Sequence, residues 1–372
     1  MNRFHLTLLT VILFACILYS CNKSSVPYTQ NGNWVYQGDF NGAARSEAVS
    51  FVIGDYAYVG TGIDNSFNRY NDLWQLQVTG QDIPPNGTTP QNGLNCSWFQ
   101  VASATNMTPR NSAVAFSVGG QGYVGSGTNG TVAFYDFWHY DPAANQWNQI
   151  ANIGDSAYGY AARFDAVGFG IETVGKGYVG TGNNYTDYLK DFWAYDPSTN
   201  KWTQEVSYNG YKRTDAIALV YNNRAYLVTG LGTGGTMTND MWRFDPSLPD
   251  SSKWYQLNHI TNFSPASFDD AYTTIARANG AGFIITGVKT DGGGDKAYIS
   301  TGINGSLYTW TWEYDFATDL WVEKTPFERA ARQGAVGFTV KNHGFIALGI
   351  SGGTNFENLE EFRPDEVYNQ QD

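Results

Sequence analysis

Apolar residues in this chain come in short runs broken by turn-forming residues, and the runs recur in a fixed order. One copy reads Arg163-Phe-Asp-Ala-Val-Gly-Phe169, then Tyr178-Val-Gly-Thr-Gly182, then "DFWAYD" at 191–196, then a strand led by Trp202. Such runs are too short for helices, are rich in aromatic and β-branched residues, and end at Gly, Asn or Asp-Pro, which predicts short strands joined by tight turns. Two neighbouring stretches, from Gly122 and from Gly177, open nearly the same sentence, so the chain is read as a repeat.

Six copies can be aligned. The first run starts at Arg45, Arg110, Arg163, Arg213, Arg277 and Arg332; the second ends at Gly62, Gly127, Gly182, Gly230, Gly302 and Gly349. The aromatic run follows as "DLWQLQ", "DFWHYD", "DFWAYD", "DMWRFD", "TWEYD" and "LEEFR", and an outer run is led by Trp98, Trp147, Trp202, Trp254 and Trp321. In the fifth copy Gly302 lies ten residues before Trp312, as the spacing requires, and Gly287 lies twenty-five before it. The segment "VKTDGGGDK" is therefore read as an enlarged turn. The sixth copy has no Trp-led run, whereas the chain opens with an orphan one at Trp34, eleven residues before Arg45. This strand is expected to complete the last sheet and close the ring, which removes an open sheet edge.

The order and number of these elements resemble the kelch repeat, a unit of roughly 50 residues that builds β-propellers. The resemblance covers nearly all of residues 33–363 and implies an all-β, six-bladed kelch-type propeller spanning 33–372, with four antiparallel strands per blade. It departs at the first of the two usual glycines, where this chain has Thr, Ser or Leu. Small residues such as Ala48, Ala113, Ala166 and Ala216 suit the crowded axis, and large Tyr and Trp suit the widening wedge between blades.

Composition narrows the partners. The 372 residues include 42 Gly, with 16% aromatic and 15% charged residues, and the acids outnumber the bases by 34 − 22 = 12. A dispersed acidic surplus argues against nucleic acid or anionic lipid as the main partner. The start, "MNRFHLTLLTVILFACILYSC", has a basic front and an apolar run, which predicts a signal peptide over 1–20. Its end resembles a bacterial lipobox, which implies cleavage before Cys21, a lipid on that thiol and a tether over 21–32. The protein is then expected to be exported and lipid-anchored in the bacterial outer envelope, to be a monomer, and to retain Cys96 as its one other cysteine.

The candidate site is the rim that carries the six arginines. Its loops hold Tyr158, Tyr160, Tyr185, Tyr188, Tyr208 and Tyr211, suited to stack on a sugar while Asn or Asp bonds its hydroxyls. Two residues beyond three of the arginines stand Glu47, Asp165 and Asp215; period-two alternation would put each on the same face as its arginine. Two readings of the arginines stand: ties between an inner strand and a neighbouring blade's carbonyls, or an anion pocket. Cys96 is placed in an insertion of the first blade. The histidines His139 and His343 are spread over different blades, so neither a metal nor a cofactor is expected, and the copper chemistry of the related galactose oxidases is rejected. The leading expectation is a non-catalytic module that binds glycan or protein. The alternatives are a sugar mutarotase or epimerase, as in the related sialic acid mutarotase propellers, and a structural part of a membrane assembly.

Overall fold

The computed structural model describes residues 31–80, 93–155, 159–260 and 272–370. The expected leader, Cys21 and Tyr158 lie outside the described residues.

Six four-stranded antiparallel sheets form the blades of a propeller. From the axis outward, blade one is Val49–Ile53, Tyr56–Gly60, Leu73–Gly80 and Leu94–Val101. Blade two is Val114–Val118, Gln121–Gly125, Phe137–Asp141 and Gln146–Ile150. Blade three is Val167–Ile171, Lys176–Gly180, Phe192–Asp196 and Lys201–Glu205. Blade four is Ile217–Tyr221, Arg224–Val228, Met241–Phe244 and Trp254–Gln256. Blade five is Ala281–Val288, Gly294–Ser300, Thr311–Asp315 and Leu320–Lys324, so Gly302 does follow its second strand and the glycine-rich segment is the enlarged turn. Blade six takes Val336–Val340, His343–Ala347 and Asn358–Val367 from the end of the chain and Asn31–Asp39 from its start, with Trp34 opposite Phe362.

The core lies between blades. Each of the six hydrophobic clusters combines residues of two adjacent blades; between blades two and three, for example, Val114, Phe116 and Phe137 meet Val179, Tyr195 and Trp202. In blades one to five the tyrosine of the second strand reaches an aromatic of the next blade's third strand: Tyr58 to Tyr140 at 5.6 Å, Tyr123 to Tyr195 at 5.5 Å, and Tyr298 to Phe362 at 5.0 Å between ring centres. Such pairs add to the burial of large rings. The outer turns follow their sequence: the Asp141 and Asp196 carboxylates each accept the backbone N–H two residues on, at 2.9 Å, across the proline.

Two closed circles of backbone hydrogen bonds join the blades at the axis. In one, the N–H of Ser112 donates to Glu47 O, Asp165 to Ser112 O, Asp215 to Asp165 O, Asn279 to Asp215 O, Gly334 to Asn279 O and Glu47 to Gly334 O, at 2.8–3.1 Å. In the other, the glycine after each second strand donates to the next blade's arginine carbonyl, as Gly182 does to Arg213 O at 2.8 Å. Gly182 has φ +94, and a Cβ there would stand 2.7 Å from Phe164 O and 2.8 Å from Ala166 Cβ. That close approach, repeated in every blade, is why this glycine recurs. The residue before it also has left-handed φ although it carries a side chain: Thr61, Ser126, Thr181, Thr229, Thr301 and Leu348 lie at φ 54–66. This is the position at which the chain departs from the paired glycines of kelch repeats. The five hydroxyls there are buried without a hydrogen-bond partner.

Replacing Gly182 by Ala adds both strain and a clash, and is expected to cost about 3 kcal/mol in chemical denaturation. Gly175→Ala is the control: φ is +60 there and no atom lies within 4 Å of the new Cβ. It is expected to cost about 1 kcal/mol; equal losses at the two sites would refute the role given to the close approach.

Candidate functional site

The six arginines are framework. All are buried, at 0–1% exposure. In blade two Arg110 Nε donates to Thr108 O at 2.9 Å, Nη1 to Ser126 O at 2.9 Å, and Nη1 and Nη2 to the two carboxylate oxygens of Asp136, each at 2.8 Å. Arg45–Asp72, Arg163–Asp191 and Arg213–Asp240 repeat this pairing at 2.6–2.7 Å. Burial alone would raise the Asp136 and Asp191 carboxyls, but the arginine beside each holds it below the usual range. The carbonyl that Nη1 clamps belongs to the left-handed Thr or Ser, or to Leu348 in blade six, so the guanidinium braces the strained turn of its own blade, not a neighbour's loop. The reading of Arg45, Arg110, Arg163, Arg213, Arg277 and Arg332 as an anion pocket at the channel mouth is therefore corrected: none of them lines the cavity on the axis. The signal for their partners was the Asp two residues before the tryptophan in "DLW", "DFW" and "DMW".

Glu47, Asp165 and Asp215 do not share a face with the arginines. At φ 50–57 each leaves the extended alternation, as do Ser112, Asn279 and Gly334. Together with Ala48, Ala113, Ala166, Ala216, Gly280 and Ala335 these six residues line a cavity of about 120 Å³ on the axis. The Glu47 carboxylate accepts from Asn111 Nδ2 at 2.5 Å and Ser112 Oγ at 2.9 Å, and Arg69 Nε donates to Asn111 Oδ1 at 2.5 Å. Arg69 and Asn111 were not singled out in the sequence; Asn111 stands where the other copies have Ser46, Phe164, Thr214, Ala278 and Gln333. Burial, then the Glu47 charge, pushes Asp215 up to about 7, although the side chains of Asn279 and Thr214 pull it down. Asp165 is raised by burial and by the charges of Asp215 and Glu47. One Asp215 carboxylate oxygen has no partner. Among the described residues no three of His, Cys, Asp and Glu are grouped to hold a metal ion, so the carboxylates are spread round the ring.

The tyrosines separate into two sets. Tyr208 is buried: its hydroxyl donates to Tyr211 O and accepts from Arg213 Nε at 2.9 Å, and it packs on Trp242 and Trp254. It is framework, which corrects its place among the ligand-binding candidates. Tyr160, Tyr185 and Tyr211 are exposed, and Tyr188 is half-buried. Tyr160 stacks on Tyr135 at 4.3 Å, while Tyr185 packs on Phe164 at 4.6 Å with its hydroxyl 2.6 Å from Thr128 Oγ1. Phe67, Tyr135 and Trp310 are exposed in other loops of this rim; towards the opposite rim Tyr56 and Tyr368 are exposed. Cys96 lies within the outer strand of blade one, not in an insertion, and burial pushes its thiol up to about 12. His139 contacts Gln121 and His343 pairs with Glu361, in different blades.

Fold and axial site define the class: the chain is a six-bladed β-propeller of kelch repeats. The kelch motif model matches residues 177–207, most of blade three. Among curated proteins, the N-(sulfonatooxy)prop-2-enimidothioate sulfolyase of Thlaspi arvense is 25% identical over 257 residues, covering 64% of this chain. The chain spans 66% of the length of that relative, just under two thirds. The solved structure of YjhT superposes with a TM-score of 0.62 at 17% identity, over 86% of this chain and 95% of that one, a likeness of fold.

The Asp215 proton sets a pH dependence. A carboxyl raised from about 3.9 to about 7 stabilises the folded ring fully below the lower value and loses that contribution as pH rises through the upper one. Asp215→Asn removes this loss. Measured by denaturation, the variant is expected to gain about 1–2 kcal/mol on wild type between pH 5 and pH 8, a figure reduced for the open channel. An unchanged difference would show that Asp215 titrates normally.

Proposed function

We propose that this kelch propeller is a binding module that takes a neutral, hydroxyl-rich ligand of the carbohydrate class at the mouth of its axial channel. The observation that carries this reading is the set of exposed aromatic rings in the loops of the rim that bears a cavity lined by carboxylate, amide and hydroxyl groups. Rings pack on the C–H face of a sugar, and the pore groups accept from its hydroxyls. Glycan-array binding of the soluble propeller is the test, with Tyr185→Ala and Tyr160→Ala as separate variants. Binding that falls about tenfold or more in either variant supports the reading. Binding untouched by both, or none at all, overturns it and leaves the rim to a protein partner or to a membrane assembly.

One observation favours a second reading, a sugar mutarotase or epimerase. A carboxyl near neutrality is suited to exchange protons with a ring oxygen. Because the six arginines are turned inward, a substrate carboxylate would have to rely on Arg69. Anomeric exchange of sialic acid, followed by NMR, should accelerate with the wild type and revert to the uncatalysed rate with Asp215→Asn; no acceleration removes this reading.

Export and lipid anchoring at Cys21 remain part of the proposal, resting on the apolar leader and the Leu18-Tyr19-Ser20-Cys21 sequence. Metabolic labelling with a fatty-acid analogue should mark the wild type and leave Cys21→Ser unlabelled. Equal labelling of the two would refute the anchor.

A further inference from the structure

Blade six breaks the clamp that the other blades keep, and the break leaves an opening. In blades one to four the third strand begins Asp-x-Trp: the Asp closes on the arginine, and the indole N–H donates to the same carboxylate at 2.6–2.8 Å, from Trp74, Trp138, Trp193 and Trp242. Blade five lacks the acid but keeps the indole, as Trp312, which donates to Thr274 Oγ1 at 3.1 Å. Blade six has neither. Asn358 stands in place of the acid and Glu360 in place of the tryptophan.

Two consequences follow. Arg332 is 1% exposed and donates Nε to Ala330 O at 3.1 Å and Nη1 to Leu348 O at 3.0 Å and Asn358 Oδ1 at 2.8 Å. Its Nη2, which in blades one to four reaches a carboxylate, has no hydrogen-bond partner among the described residues. The guanidinium is held between Phe327 and Phe356, with its carbon 4.9 and 4.0 Å from their ring centres, so it cannot swing away. Where the indole is missing, a cleft of about 510 Å³ opens between Tyr36, Arg329, Ala330, Arg332, Phe356 and Glu360, with Asn358 also on its wall.

The carboxylates beside the cleft are already engaged. Glu360 accepts from Arg329 Nε and from Asn358 Nδ2, both at 2.8 Å, and Asp39 is bonded to the Tyr36 hydroxyl. Arg332 faces a neutral amide where its counterparts in blades one to four face an acid, and the charge of Glu360 reaches it without a hydrogen bond. A buried guanidinium short of one charge-assisted bond favours an anionic oxygen. A cleft with ample room for an indole, walled by Phe356 and Tyr36, favours a planar ring beside it.

We propose that this cleft is a binding site for a small aromatic carboxylate, whose carboxylate supplies the missing partner of Arg332 Nη2 and whose ring fills the space of the missing indole. It is independent of the axial channel.

Restoring what the other blades have is the test, since changing Arg332 itself would remove framework. Indole-3-acetate and benzoate are titrated into the purified propeller by calorimetry, with benzamide as the neutral control. The wild type is expected to bind both acids, and benzamide about tenfold or more weakly. Asn358→Asp, which gives Arg332 its acid, should weaken the acids about tenfold while leaving benzamide unchanged. Glu360→Trp, which puts an indole back where the other blades have one, should abolish binding of all three and keep the fold, as judged by an undiminished Tm. No acid binding by wild type, or acid binding that survives Glu360→Trp, overturns the site. Equal affinity for benzamide overturns the role of Arg332.

Discussion

Six blades can share one axis only if their inner strands begin close together, and at that distance the chains are joined by backbone hydrogen bonds, not by side chains. The circle from Glu47 through Gly334 and back engages six N–H groups and six carbonyls that would otherwise be buried without partners. Its geometry demands left-handed φ at each member. The second circle, from the strand-end glycines to the arginine carbonyls, demands the same of those glycines and of the residue before each. Left-handed Thr or Ser costs about 1–2 kcal/mol where glycine costs nothing, and the buried hydroxyl adds to that. The arginine offsets this cost by grasping the carbonyl of the strained residue, and the Asp at the head of the third strand neutralises the arginine.

That single constraint also makes the site. A strand in regular alternation would send Glu47, Asp165 and Asp215 the way their arginines go. The left-handed turn sends the arginines into the blade and the acids to the axis, so two sets of charges that are two residues apart in sequence are separated by the inner-strand backbone. In blades one to four the arginines meet their own acids and become neutral framework. The axial acids meet one another, and Asp165 and Asp215 retain protons well above the ordinary carboxylate range. The polarity of the channel mouth is thus a by-product of how the ring closes.

Where the clamp varies, the blades show how much of it is needed. In blade five Arg277 has no carboxylate. It donates to the carbonyls of Ile275, Thr301, Trp310 and Thr274, and burial lowers its pKa to about 9. Carbonyl dipoles, with the Tyr308 ring 5.4 Å away, hold the guanidinium there. Blade six, sealed by a strand from the other end of the chain, keeps an amide in place of the acid and gives up the indole. A repeat protein tolerates such local losses because each blade is held mainly by its two neighbours.

Much of the fold was legible in the chain. The spacing of Trp34 from Arg45 fixed which strand seals the ring, and the distance from Gly302 to Trp312 fixed the register of the fifth copy; both follow from strand and turn lengths, which are local. The candidate site was legible in part. Tyr160 and Tyr185 were expected in rim loops and are exposed there, whereas Tyr208 was counted with the ligand-binding tyrosines and is buried, and of the two readings of the arginines the structural one describes their contacts. Burial depends on which residues from distant parts of the sequence converge, as Arg110 and Asp136 do. The sequence by itself determined the number of blades, their strand order and the point of closure, because these rest on repeating short-range patterns. Only the tertiary structure decided which way each charge faces, because a left-handed residue at the axis is imposed by hydrogen bonds between blades and leaves no mark in the alternation of a single strand.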